Sequence, residues 1–200
     1  MPCEFAENKL KIIDNQPEDG IKKKFGVCVK QITFEDKNST VKFVEWIHLL
    51  KILGADKIYV YNRFVHPDLF KAMKYFEDQG ILDLTSFLEP SAIPYELRSP
   101  LTRTVEILSL NDCFYRIRNL YEYILVLDPD EVPIPMRENE TTWHDFVDTF
   151  VAEDDVGENR TDFFSFRSLT FPDLNAKPVE KYPTYHYALQ HVQVSFQLSL

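Results

Sequence analysis

The chain has 200 residues, a formal net charge of −10, 44% hydrophobic residues and 27% charged residues. That is the make-up of one globular domain, or most of a larger one, with enough apolar side chains for a core, and it excludes a disordered chain. The acidic balance, relieved by no basic run longer than Lys22-Lys23-Lys24, speaks against nucleic acid as a partner.

Phe25 to Lys30 is a short apolar run closing on a charge, the pattern of a buried strand. From Val41 to Leu53 the period becomes helical: Phe43, Ile47 and Leu50 share one face, and Gly54 supplies the stop. Lys57 to Asn62, rich in β-branched and aromatic residues, reads as a second strand. A second helix is expected from Pro67 to Gln79, with Pro at its first position, a stripe of Leu69, Met73 and Phe76, and Gly80 after it. Ile81 to Leu84 is a third strand. Irregular chain from Pro90 to Pro100 precedes a third helix from Thr102 to Arg118. The run Tyr123 to Leu127 is a fourth strand, continuously apolar as strands buried on both faces are. Val132 to Trp143 reads as irregular connection.

Strand and helix alternate, so the fold class is α/β, with a mostly parallel sheet joined by right-handed crossovers. Ligands of such sheets bind beyond the carboxyl ends of the strands, which directs attention to the residue after each strand. The fourth strand runs directly into Asp128-Pro129-Asp130-Glu131, followed by Val132-Pro133-Ile134-Pro135. An Asp-x-Asp pattern alone carries little; at the ligand edge of a buried strand, three acids in four residues repel one another, and a divalent cation relieves that repulsion. The alternative is an acidic turn facing water.

Cys3, Cys28 and Cys113 are odd in number and far apart, and read as buried thiols, with a disulfide or metal role as the alternative. Three acceptor triplets for N-glycosylation, beginning at Asn38, Asn139 and Asn159, lean towards a secretory lumen. No segment approaches the ~20 apolar residues of a membrane span, and the start, Met1-Pro2-Cys3-Glu4, has no apolar signal core. The expectation is a cytosolic chain or one lacking the anchor its relatives carry.

The blocks Phe25 to Lys30, Val44 to Ile47, Leu53 to Ile58, Asn111-Asp112-Cys113 and Leu127 to Glu131 resemble, in order and spacing, glycosyltransferase family 92. The resemblance runs from about Phe25 to Val192, which divides the chain into an extension (1–24), a partial family-like domain (25–192) and a divergent tail (193–200). It implies a GT-A-like fold, incomplete at the C-terminus, and an inverting enzyme of the Golgi or secretory lumen, membrane-anchored in full-length relatives. The reaction implied is transfer of a hexose, galactose above all, from a UDP-sugar to a glycan acceptor. It further implies that Asp130 ligates Mn²⁺ or Mg²⁺, that Asp128 touches the metal or the donor ribose, and that Glu131 supports them. Lys30 is a candidate contact to the nucleotide, or simply a strand-end lysine. Asn111-Asp112-Cys113 is expected to be structural, with Asp112 pairing with Arg116 at helical spacing, and Trp46 to fill the core.

An inverting transferase also needs a base for the acceptor hydroxyl. Glu153, Asp154, Asp155, Glu158 and Asp162 are available, Asp173 and His186 lie further on, and no spacing singles one out. The rival enzyme class is a Mg²⁺-dependent haloacid-dehalogenase-like phosphatase, whose first motif Asp128 to Val132 fits, although three strands precede it. The non-enzyme alternative is a truncated isoform that binds donor or glycan without efficient turnover.

Overall fold

The computed structural model describes residues 14–36, 39–86, 95–135 and 137–154. They form four strands and four helices in alternation: β1 (Lys23–Val29), α1 (Ser39–Leu53), β2 (Lys57–Asn62), α2 (Pro67–Asp78), β3 (Leu82–Ser86), α3 (Tyr95–Ile117), β4 (Tyr121–Leu127) and α4 (Trp143–Asp154). All strand pairs are parallel and the order is β3-β2-β1-β4. This is the α/β arrangement expected, and it is consistent with a GT-A-like fold.

Alternation along β1 explains the layers. Phe25, Val27 and Val29 point to the face covered by Phe43, Ile47 and Leu50 of α1, by Leu69, Met73 and Phe76 of α2, and by Trp143 and Val147 of α4. Cys28 points the other way, into a second core with Cys113 and Ile117 of α3, Tyr59 and Tyr121. Two-sided burial of this kind requires apolar residues at successive positions, which is why β1 and β2 read as continuous apolar runs. Helices α1 and α2 stop where glycines with positive φ reverse the chain: Gly54 (φ 119°) and Gly80 (φ 73°). At each end the next amide reaches back over the helix, Ala55 N–H to Leu50 O (2.9 Å) and Ile81 N–H to Phe76 O (3.0 Å).

Four features depart from the expectations or add to them. First, the irregular connection ends at Trp143 as expected, and there a helix that was not expected, α4, begins; it is started by Thr142, whose hydroxyl accepts from Asp145 N–H (3.3 Å), while the Asp145 carboxylate accepts from Thr142 N–H (2.8 Å). Second, α3 begins at Tyr95 and carries Pro100 within it, so the irregular stretch before it is shorter than expected. Third, β4 is an edge strand among the described residues, and Val126 is 51% exposed rather than covered on both faces. Fourth, Cys28 and Cys113 are not thiols but a disulfide, with Cα atoms 5.9 Å apart, tying β1 to α3. Cys3 lies outside the described residues. Among the described residues no helix is long and apolar enough to cross a membrane.

Candidate functional site

The strand order places the first crossovers, β1 to β2 to β3, on one side of β1, and β4 on its other side. The chain therefore leaves the carboxyl ends of β1 and β4 in different directions, and a crevice opens between them. This is the topological switch point at which open α/β sheets bind ligands. A cleft of about 190 Å³ lies there, lined by Lys30, Gln31 and Phe34 after β1, Glu106 of α3, and Asp128, Pro129 and Asp130 after β4.

Register determines which residues meet. Val29 pairs with Leu127, so the next residues, Lys30 and Asp128, emerge side by side. The Lys30 ammonium stands 2.6 Å from the Asp128 carboxylate. The hydrogen bond to Asp128 raises the Lys30 pKa above the usual lysine range, with partial burial opposing. The lysine named as a candidate nucleotide contact is thus held by the first aspartate of the motif.

The acidic segment is a closed turn. Glu131 N–H donates to Asp128 O (3.0 Å), and the Glu131 carboxylate accepts from Asp128 N–H (3.1 Å). Trp46, 6% exposed in the core, donates its indole N–H to Glu131 O (2.9 Å) and so anchors the turn to α1. Asp128 and Pro129 are half-buried, whereas Asp130 and Glu131 are exposed, leaving the Asp130 carboxylate at the lip of the cleft.

Phe34, Gln31 and Glu106 belong to the cleft and had no signal in the sequence. Phe34 belongs to the segment that continues beside the end of β2: Ile32 pairs in parallel with Asn62, and His66 N–H donates to Phe34 O (2.7 Å). Gln31 is 7% exposed. Glu106 arrives on α3, a helix fixed by the disulfide at Cys113 and by a polar cluster further along. In that cluster Tyr61 donates to Asp112 (2.5 Å), and Arg116 reaches Thr85 (3.0 Å), Asp83 (3.3 Å) and Asp112 (3.7 Å). Burial, and then the Asp112 carboxylate, push the Tyr61 hydroxyl well above the tyrosine range, so it stays a donor. Asp112 therefore pairs with Arg116 as expected, and serves packing rather than the cleft.

Among the described residues no group of three or more His, Cys, Asp or Glu side chains is placed to hold a metal ion. Two carboxylates, one of them exposed at the lip of a cleft, suit a hard cation that takes its other ligands from a bound diphosphate and from water, as Mg²⁺ commonly does. The donor set fits such an ion only with a phosphorylated ligand present. The side chains of Glu153 and Asp154, together with Asp155, Glu158, Asp162, Asp173 and His186, lie outside the described residues.

Glycosyltransferase family 92 matches this chain over residues 23–196. The chain belongs to that family. It is also similar to a beta-1,4-galactosyltransferase, galt-1, of Caenorhabditis elegans, at 24% identity over 140 residues. That match covers 69% of this chain and 31% of the relative. The phosphatase reading falls with the family match, and its motif would in any case sit after β4 rather than after a first strand.

Proposed function

We propose that this chain supplies the donor-binding half of a glycosyl transfer reaction, taking a UDP-sugar, UDP-galactose first among candidates, with transfer to a glycan acceptor and inversion at the anomeric carbon. The observation that carries the reading is the placement of Asp128-Pro129-Asp130 opposite Lys30 at the switch point between β1 and β4. The family match supports sugar transfer, and the galactosyltransferase relative favours the galactose donor.

Asp130 and Asp128 are the residues that would hold Mn²⁺ or Mg²⁺. When bound, the cation neutralises the charge that develops on the departing diphosphate. The chain's own groups act around it. Lys30 is a cation already in the cleft, balancing Asp128 and available to donor phosphate oxygens through charge-assisted hydrogen bonds. The Glu131 turn and the Trp46 hydrogen bond hold both aspartates in one arrangement before ligand arrives, so little ordering remains for binding. Phe34 and Glu106 offer an aromatic surface and a hydrogen-bond acceptor to a nucleoside. A Golgi or secretory-lumen location agrees with the disulfide, since such bonds persist in oxidising compartments.

The test is calorimetric. Asp130→Asn keeps the shape and removes the charge a hard cation needs. UDP binding in the presence of Mn²⁺ should be lost or much weakened, with the melting temperature little changed. Normal UDP binding by Asp130→Asn would show that the segment is an acidic turn facing water. Competition among UDP-sugars on the unaltered chain then ranks the donor.

A further inference from the structure

We propose that Asn139 is an N-glycan acceptor, carried on an exposed turn outside the cleft lining. Two independent observations meet here. The Cys28–Cys113 disulfide marks a chain that folds in an oxidising compartment, the compartment in which Asn-x-Thr triplets are modified. The structure then separates the triplets from one another. Ser39, the middle residue of the first, is buried in the opening turn of α1, while Asn38 and Asn159 lie outside the described residues. In Asn139-Glu140-Thr141, Asn139 and Thr141 are exposed and only Glu140 turns inward, 8% exposed.

The local backbone explains that presentation. Glu140 N–H donates to Arg137 O (3.0 Å), closing a turn with Asn139 as its third residue. The loop is closed at its base by Trp143, whose indole N–H donates to Pro133 O (2.7 Å). Trp143 packs on Phe25 with ring centroids 5.7 Å apart, and the His144 ring lies 4.9 Å from the same Phe25 ring. Phe25 is near the start of β1, whereas the cleft begins at Lys30. At ~3.3 Å per strand residue the two ends of β1 are separated by roughly 17 Å. The loop is therefore held on its far side by Trp143 against Phe25, about a strand's length from Lys30, and Asn139 is not among the residues that line the cleft.

The covalent step is ordinary for this triplet. The Asn139 amide nitrogen forms a bond to the anomeric carbon of a lipid-diphosphate-linked oligosaccharide. The bond from that carbon to the diphosphate oxygen breaks, the lipid diphosphate leaves with the electron pair, and the amide gives up one proton.

The experiment expresses the chain behind a cleavable secretory signal in a eukaryotic host, with the oxidised Cys28–Cys113 peptide as proof of translocation. Enzymatic removal of N-glycans in ¹⁸O-water converts an occupied Asn to labelled Asp, which peptide mass spectrometry locates. The expected result is label at Asn139, loss of one glycan step on gels for Asn139→Gln, and an unchanged melting temperature for that variant, because the amide is exposed. A translocated chain whose Asn139 peptide is entirely unlabelled overturns the proposal, whether or not the other triplets are occupied. This outcome is independent of UDP binding, so it fails or succeeds apart from the transferase reading.

Discussion

Removing the Cys28–Cys113 bridge is the perturbation whose magnitude follows most directly from the structure. The bond joins positions separated by 85 residues, and the loop it closes contains α1, β2, α2, β3 and most of α3. The chain-entropy relation for a closed loop of that size gives a denatured-state destabilisation of about 4.5 kcal/mol at 25 °C. Both cysteines are fully buried in the second core, so a double Cys28→Ala, Cys113→Ala variant also loses the packing of two sulfur atoms against Tyr59, Ile117 and Tyr121. Residual order in the unfolded chain acts in the opposite direction. Urea denaturation of the oxidised chain and the double variant should therefore show a loss of about 3–5 kcal/mol. A larger m value is expected for the variant, because its unfolded state is no longer held compact. A loss below ~1 kcal/mol, or both thiols open to alkylation in the non-reduced native protein, would refute the reasoning.

Three further perturbations probe separate parts of the structure. A Cβ at Gly26 would lie 2.7 Å from the Tyr121 ring and 2.9 Å from Ile117, so Gly26→Ala should cost about 1–3 kcal/mol by overpacking, read from the denaturation midpoint. Trp46→Phe keeps an aromatic ring in the core but removes the hydrogen bond to Glu131 O, and should cost about 1 kcal/mol while weakening Mn²⁺-dependent UDP binding by more than that loss implies. Asp145 accepts from the Thr141 and Thr142 backbone amides and hydroxyls, which lower its pKa from 3.8 to about 2. Its stabilising contribution is therefore present above pH ~4 and is lost as pH falls through ~2; Asp145→Asn should flatten that part of a stability–pH profile, and an unchanged profile would remove the cap from the account.

The elements legible in the sequence are those whose pattern depends on local neighbours. Lys57–Asn62 appears as read because a strand buried on both faces needs apolar or aromatic side chains at successive positions, and Tyr59 and Tyr61 find hydroxyl partners in Tyr121 and Asp112. Helix α4 had a local signal as well, Thr142-x-x-Asp145 followed by Trp143 and Val147 on one buried face, but with Asp in place of the usual Glu or Gln of the capping box. The disulfide had none. Cys28 and Cys113 meet only because α3 crosses the face of the sheet opposite α1 and α2, which is a property of the crossover and not of spacing along the chain. The exposure of Val126 has the same origin: an apolar run shows that a residue tolerates burial, and the strand's place in the sheet determines whether cover exists.

The candidate site divides along the same line. Asp128 and Asp130 could be singled out because a motif following an apolar strand must lie at a strand end, whatever the topology. Lys30 could be named but not paired, since its partner depends on β1 lying beside β4. In the observed register Val29 faces Leu127, and Lys30 follows one as Asp128 follows the other. A slip of one residue would reverse the faces of every side chain on β4, carrying Tyr121 out of the second core and away from Gly26. Gly26 is thus more than a gap in β1. The ring of Tyr121 fills the space a side chain would occupy, and that contact belongs to the same register that brings Lys30 against Asp128. The packing at the start of the strands and the charge pair at their end are consequences of one alignment. This is why Gly26→Ala is expected to weaken UDP binding as well as stability, although it lies four residues, about 13 Å, before Lys30.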